Sequence, residues 1–127
     1  MSTTSMSVRL QRVIPASPEL VYRAWLDPAT LRRWMAPTSF EENVEAQVDE
    51  RVGGHYRIFH SQDGIERGGF ESELVELVPG ERIVLLWRFV GPERVVDPWH
   101  DSRLTVTFAP SDGGTELAKF LTAQKFV

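Results

Sequence analysis

The sequence contains no cysteine. That absence removes disulfides, thiol nucleophiles and cysteine-ligated zinc together, and it accords with a reducing compartment. No stretch approaches the ~20 consecutive apolar residues that a membrane-spanning helix needs. Met1 to Ser7 lacks both the positive charge and the apolar core of a secretory leader. The expectation is a cytoplasmic protein without a membrane partner. Positive charge is also not in excess: 14 Lys and Arg stand against 18 Asp and Glu, for a net charge of -4. A general nucleic-acid binder needs a positive field to neutralise phosphates, so that class is set aside.

Catalytic and cofactor signatures are missing as well. There is no Gly-x-Ser-x-Gly elbow and no His-x-x-x-His spacing. Gly53-Gly54 and Gly68-Gly69 open onto alternating segments rather than helices, so neither reads as a phosphate loop. His55 and His60 are five apart on a strand and face opposite sides, which is wrong for a shared metal. No metal or cofactor is expected, and nothing declares an enzyme.

What is present is a single domain's worth of chain: 127 residues, 42% hydrophobic and 25% charged. Gly53-Gly54 lies between the alternating residues Val44, Ala46, Val48 and the alternating pair Tyr56, Ile58. Glycine reaches positive φ without steric cost, so this stretch predicts a tight β-hairpin. Other turns follow at Gln62-Asp63-Gly64, Pro79-Gly80 and Ser111-Asp112-Gly113-Gly114. Between them, strands are predicted over 40–48, 55–60, 70–78, 82–90 and 103–108. Thr115 to Leu121 reads either as a last strand or as a short helical face of Leu117, Phe120 and Leu121. The segment 82–90 is apolar on both faces, as suits a central strand or an outer face used as an interface.

The N-terminal third differs. Residues 1–7 are Ser/Thr-rich and are expected to form a disordered tail, leaving 8–127 as one domain. Val8, Leu10 and Ile14 then share one side of a strand near a sheet edge, with Arg12 interrupting that side. Ser17-Pro18 and Asp27-Pro28 are two helix starts, each a capping oxygen followed by a proline at the first helical position. They predict two short helices joined almost without a loop. The order β, αα, then a meander of strands is α+β.

Residues 14–25 (IPASPELVYRAW), continued by Asp27-Pro28, Leu31 and Trp34, resemble the opening signature of the START-like (SRPBCC, helix-grip) superfamily. Val52-Gly53-Gly54-His55-Tyr56-Arg57 is similar to the turn of one branch, the homologues of activators of the heat-shock-90 ATPase. Gly69-Phe70, Val78-Pro79, Arg82-Ile83, Trp87, Thr105-Val106-Thr107-Phe108 and Gly114-Thr115-Glu116-Leu117 fit in register. The resemblance implies a curved antiparallel sheet gripping a long C-terminal helix, with a cavity between. Only ten residues follow Leu117, so that helix is expected to be shortened or absent, leaving an apolar face open to self-association.

The resemblance also implies a function class: binding of a hydrophobic or amphipathic small molecule between sheet and helices. A chaperone co-factor or other protein-interaction module is the alternative, and a polyketide cyclase or hydrolase the third. Pockets for small molecules are mostly apolar with a few orienting polar groups. The candidate lining is therefore aromatic: Trp34, Tyr56, Trp87, Trp99 and Phe70, with His100 as a polar contact. The carboxylates Glu41, Glu42, Glu45, Asp49 and Glu50, and again Glu71, Glu73 and Glu76, read as solvated outer faces.

Overall fold

The computed structural model describes residues 3–34, 43–62, 65–90 and 102–126. It opens on β1 (Thr3–Ile14), followed by α1 (Pro18–Leu26) and α2 (Pro28–Trp34). The strands β2 (Asn43–Val48), β3 (His55–Gln62), β4 (Ile65–Val78), β5 (Arg82–Trp87), β6 (Phe89–Val90), β7 (Ser102–Ser111) and β8 (Gly114–Phe126) complete it. All pairings are antiparallel, in the order β1-β8-β7-β5-β4-β3-β2, with β6 also pairing β4. This is the α+β class that the order of elements predicts, in the helix-grip arrangement that the resemblance implies.

The helix starts form as their sequences dictate. Ser17 Oγ accepts from the Leu20 N–H at 3.3 Å. Asp27 Oδ2 accepts from both the backbone N–H and the hydroxyl of Thr30, at 3.1 and 2.6 Å. Those two bonds, the hydroxyl's first, hold the Asp27 carboxyl below its usual range. Val21, Tyr22, Trp25 and Leu26 of α1 and Leu31 of α2 are buried. They pack with an inner sheet face of Ile83, Leu85, Val106 and Phe108, and the Tyr22 ring meets Phe108 edge-on at 5.6 Å.

The hairpin at Gly53-Gly54 docks on its neighbour. The Gly53 N–H donates to the Leu74 carbonyl at 2.7 Å, and the Leu74 N–H donates to the Gly54 carbonyl at 2.9 Å. The expected outer carboxylates are engaged on the surface. Glu50 pairs with Arg23 of α1 at 2.9 Å, Asp49 with Arg51 at 2.7 Å, Glu71 with Arg57 at 2.5 Å, and Glu76 with Arg82. Exposed pairs of this kind contribute about 0–1 kcal/mol each.

Three boundaries differ from the sequence reading, and one open alternative is decided. Thr3 to Ser7, expected as a tail, pairs with Thr122 to Phe126. Gly68-Gly69, expected as a lead-in, lies inside β4, where the register shifts between His60 and Ser61. The predicted strand over 82–90 breaks at Arg88, whose carbonyl still accepts from the Glu71 N–H at 3.0 Å. Thr115 to Leu121 is strand rather than helix, because β1 and β7 offer backbone partners on its two edges. Among the described residues, the only helices are α1 and α2. The turn expected at Gln62-Asp63-Gly64 falls partly outside the described residues, as do Phe40 to Glu42.

Candidate functional site

Strand alternation sends every second side chain to the inner face. On β1 these are Val8, Leu10, Arg12 and Ile14, opposite Leu121, Lys119, Leu117 and Thr115 of β8. On β7 they are Leu104, Val106 and Phe108, and on β5 Ile83, Leu85 and Trp87. Towards α1 and α2 this face is closed by core packing. Towards β1 it is open: Val8 is 48% exposed, Leu10 57%, and Leu20 of α1 65%.

The open part is a groove with two compartments. The larger, about 470 Å³, lies between α1 and the β1–β8 pair. Its walls include Arg12, Ile14, Leu20, Val21, Ala24 and Leu117. The smaller, about 290 Å³, is walled by Val8, Phe70, Trp87, Leu104 and Leu121. Leu10, Trp25 and Lys119 line both, so the compartments adjoin. The Lys119 ammonium stands 5.8 Å from the centre of the Trp25 ring, within cation–π range.

The structure brings some of the sequence-derived candidates together and separates others. Trp87 and Phe70 share a wall of the smaller compartment, their ring centres 4.3 Å apart. Tyr56 is fully buried behind them, 6.4 Å from the Trp87 ring, and lines neither compartment. Its hydroxyl is spent on the Trp25 carbonyl at 2.6 Å. Burial raises the Tyr56 hydroxyl pKa far above its ordinary value, so the group is a neutral donor. Trp34 ends α2, and its side chain lies outside the described residues. Trp99 and His100 also lie outside them. Beside Phe70 on the same face of β4, Ser72 is 4% exposed, and its Oγ has no hydrogen-bond partner among the described residues.

Three groove residues carried little weight in the sequence. Trp25 sat in a helical pattern and read as core. Arg12 was visible as an interruption of an apolar side, without a reason for it. Lys119 was hidden by the strand-or-helix ambiguity of its segment. A signal existed: Leu117-x-Lys119-x-Leu121 repeats the apolar–cation–apolar alternation of Leu10-x-Arg12-x-Ile14, and a strand reading puts all six on inner faces. Among the described residues, no three His, Asp or Glu side chains gather as metal ligands. No described helix is long and apolar enough to cross a membrane.

Solved structures share this architecture. A Rhizobium leguminosarum protein superposes with a TM-score of 0.79 at 24% identity, over 98% of this chain and 80% of its own. A Chromobacterium violaceum protein is 36% identical, with a TM-score of 0.76, over 92% of this chain and 79% of its own. A Rhizobium loti protein is 30% identical, with a TM-score of 0.77, over 100% of this chain and 84% of its own. No curated protein matches the chain. Residues 15–122, from just before α1 to within the groove strand β8, match the family of Activator of Hsp90 ATPase homolog 1-like proteins, and the chain belongs to that START-like family.

Proposed function

We propose that the protein binds a hydrophobic or amphipathic small molecule in the groove between α1 and the inner face of the sheet. The observation that carries this reading is the open apolar surface of Val8, Leu10 and Leu20, set against the aromatic wall of Trp25, Phe70 and Trp87. Burying such surface is favourable by about 25 cal/mol per Å². Trp87 and Phe70 serve as contacts, whereas Tyr56 supports them from behind. Tryptophan emission is the natural probe, because Trp25 and Trp87 both line the groove. A panel of fatty acids, polycyclic aromatics and polyketides is expected to shift or quench that emission saturably for at least one class. An unchanged spectrum across the panel overturns the reading.

A second reading has one observation in its favour, the family's description as activators of the Hsp90 ATPase. Under it the open apolar face receives a protein, a heat-shock ATPase or a second copy of this chain. Co-precipitation with the chaperone and an altered ATPase rate are its expected results. An unchanged rate at saturating protein rejects the chaperone form.

A further inference from the structure

We propose that the groove takes a medium-chain alkyl carboxylate, with the Lys119 ammonium as the anchor for its head and the Arg12 guanidinium beside it at the β1 wall. This rests on the small-molecule reading above and names its ligand class.

The charge distribution carries the argument. The chain as a whole is net negative, at -4. Yet among the described residues, the only charged ones that line the two compartments are Arg12 and Lys119, and both are cationic. The carboxylates of Glu50, Asp49, Glu71 and Glu76 are held by Arg23, Arg51, Arg57 and Arg82, none of which lines the groove. Arg12 and Lys119 take no part in those four pairs. Lys119 is half-buried and Arg12 exposed, so both cationic heads are accessible to an anion at the mouth of the groove.

The position of Lys119 fits the shape of such a ligand. It stands where the two compartments join, over the Trp25 ring. Its aliphatic stem adds to the apolar wall while its head offers three donors. From there the smaller compartment offers Val8, Phe70, Trp87, Leu104 and Leu121 to an alkyl tail, with no second charge. The larger compartment holds Arg12 on the head-group side. A charge-assisted bond to a carboxylate at the edge of an apolar groove is stronger than a neutral one. One ammonium seconded by one guanidinium suits a monoanion.

The test is calorimetric titration of the full chain with dodecanoate and with dodecan-1-ol, both below micelle formation. The wild-type protein is compared with Lys119→Gln, Lys119→Arg and Arg12→Gln. Dodecanoate is expected to bind about tenfold more tightly than the alcohol, from one charge-assisted bond. Lys119→Gln should bring that ratio down to about three, Lys119→Arg should keep most of it, and Arg12→Gln should lower it about threefold. Shortening the acid should weaken binding about fourfold per methylene. If the alcohol binds as tightly as the acid, or the full ratio survives Lys119→Gln, the carboxylate assignment falls while the groove reading stands. If neither amphiphile binds the wild-type protein, the alkyl carboxylate assignment falls, and the groove reading is decided by the emission panel of aromatics and polyketides. Near-ultraviolet circular dichroism of each variant verifies the fold, and the charge-preserving Lys119→Arg supplies a readout should the Gln variant misfold.

Discussion

The Tyr56 hydroxyl donates to the Trp25 backbone carbonyl across 2.6 Å, joining the central sheet to the last turn of α1. Carbonyls in a helix's last turn lack intrahelical donors, and Asp27-Pro28 brings the next helix in immediately. The bond therefore fixes the angle at which the helical pair meets the sheet. It also sets the Trp25 side chain at the junction of the two groove compartments. A residue type that suggested ligand contact acts here as a brace.

Tyr56→Phe should keep the ring packing and lose only the donor. The expected loss is about 1–2 kcal/mol in urea unfolding, the cost of removing one buried hydrogen bond. Because Trp25 is held by the same bond, its emission maximum should shift as well. A variant with wild-type stability and emission would show that the bond does not brace the helix.

The same hydroxyl predicts behaviour in alkali. Burial raises the pKa of Tyr56, and burial with the nearby Glu50 charge raises that of Tyr22. These are the chain's two tyrosines. In the unfolded chain both ionise near the ordinary value of 10. A folded pKa above the unfolded one gives stability that is full below pH 10 and falls as pH rises beyond it. Tyrosinate absorbance near 295 nm should therefore appear late and together with loss of near-ultraviolet circular dichroism. Full titration of both tyrosines near pH 10 in a folded protein would contradict this.

Ser72 offers a test of opposite sign. Its buried Oγ has no partner among the described residues, and an unsatisfied buried hydroxyl is unfavourable by about 1–3 kcal/mol. Ser72→Ala should leave stability unchanged or raise it by about 1 kcal/mol. A loss of more than about 1 kcal/mol would show that the hydroxyl is satisfied by a bound water.

Two glycines should respond differently to alanine. A Cβ at Gly69 would fall 1.9 Å from the Ile58 carbonyl oxygen and 2.7 Å from the Phe59 Cα, both rigid backbone. Gly69→Ala should force β3 and β4 apart and destabilise by roughly 2–4 kcal/mol. At Gly53 nothing lies within 4 Å, and only the φ of +87° opposes a side chain, so Gly53→Ala should cost about 1 kcal/mol. Thermal melts of the pair give the order directly. Equal losses would mean that the sheet yields at Gly69.

Much of this architecture was legible because it is written locally. Ser17-Pro18 and Asp27-Pro28 announce two helices through capping oxygens and the fixed φ of proline. Gly53-Gly54 announces a hairpin through the one residue that tolerates its φ. Alternation in Val8 to Ile14 and in Leu104 to Phe108 announces half-buried strands. Gly68-Gly69 was read as leading into the strand, whereas the pair lies inside β4, where the close approach of the β3 backbone to Gly69 leaves no room for a side chain.

The groove was not legible in the same way. Trp87 and Phe70 could be named as candidates from their type, but Tyr56 has the same type and became a brace. What separates them is depth beneath the helical pair, and depth is not encoded in any one segment. Lys119 meets Leu10 only because β8 pairs with β1, joining opposite ends of the chain in a register that no turn between them specifies. The sequence alone carried most element types and the α+β order, since these follow from short-range sterics and pattern, and its motifs carried the resemblance that pointed to the family. The tertiary structure decided which side chains share a face and which of those stay open, because strand register and helix docking are settled by long-range burial.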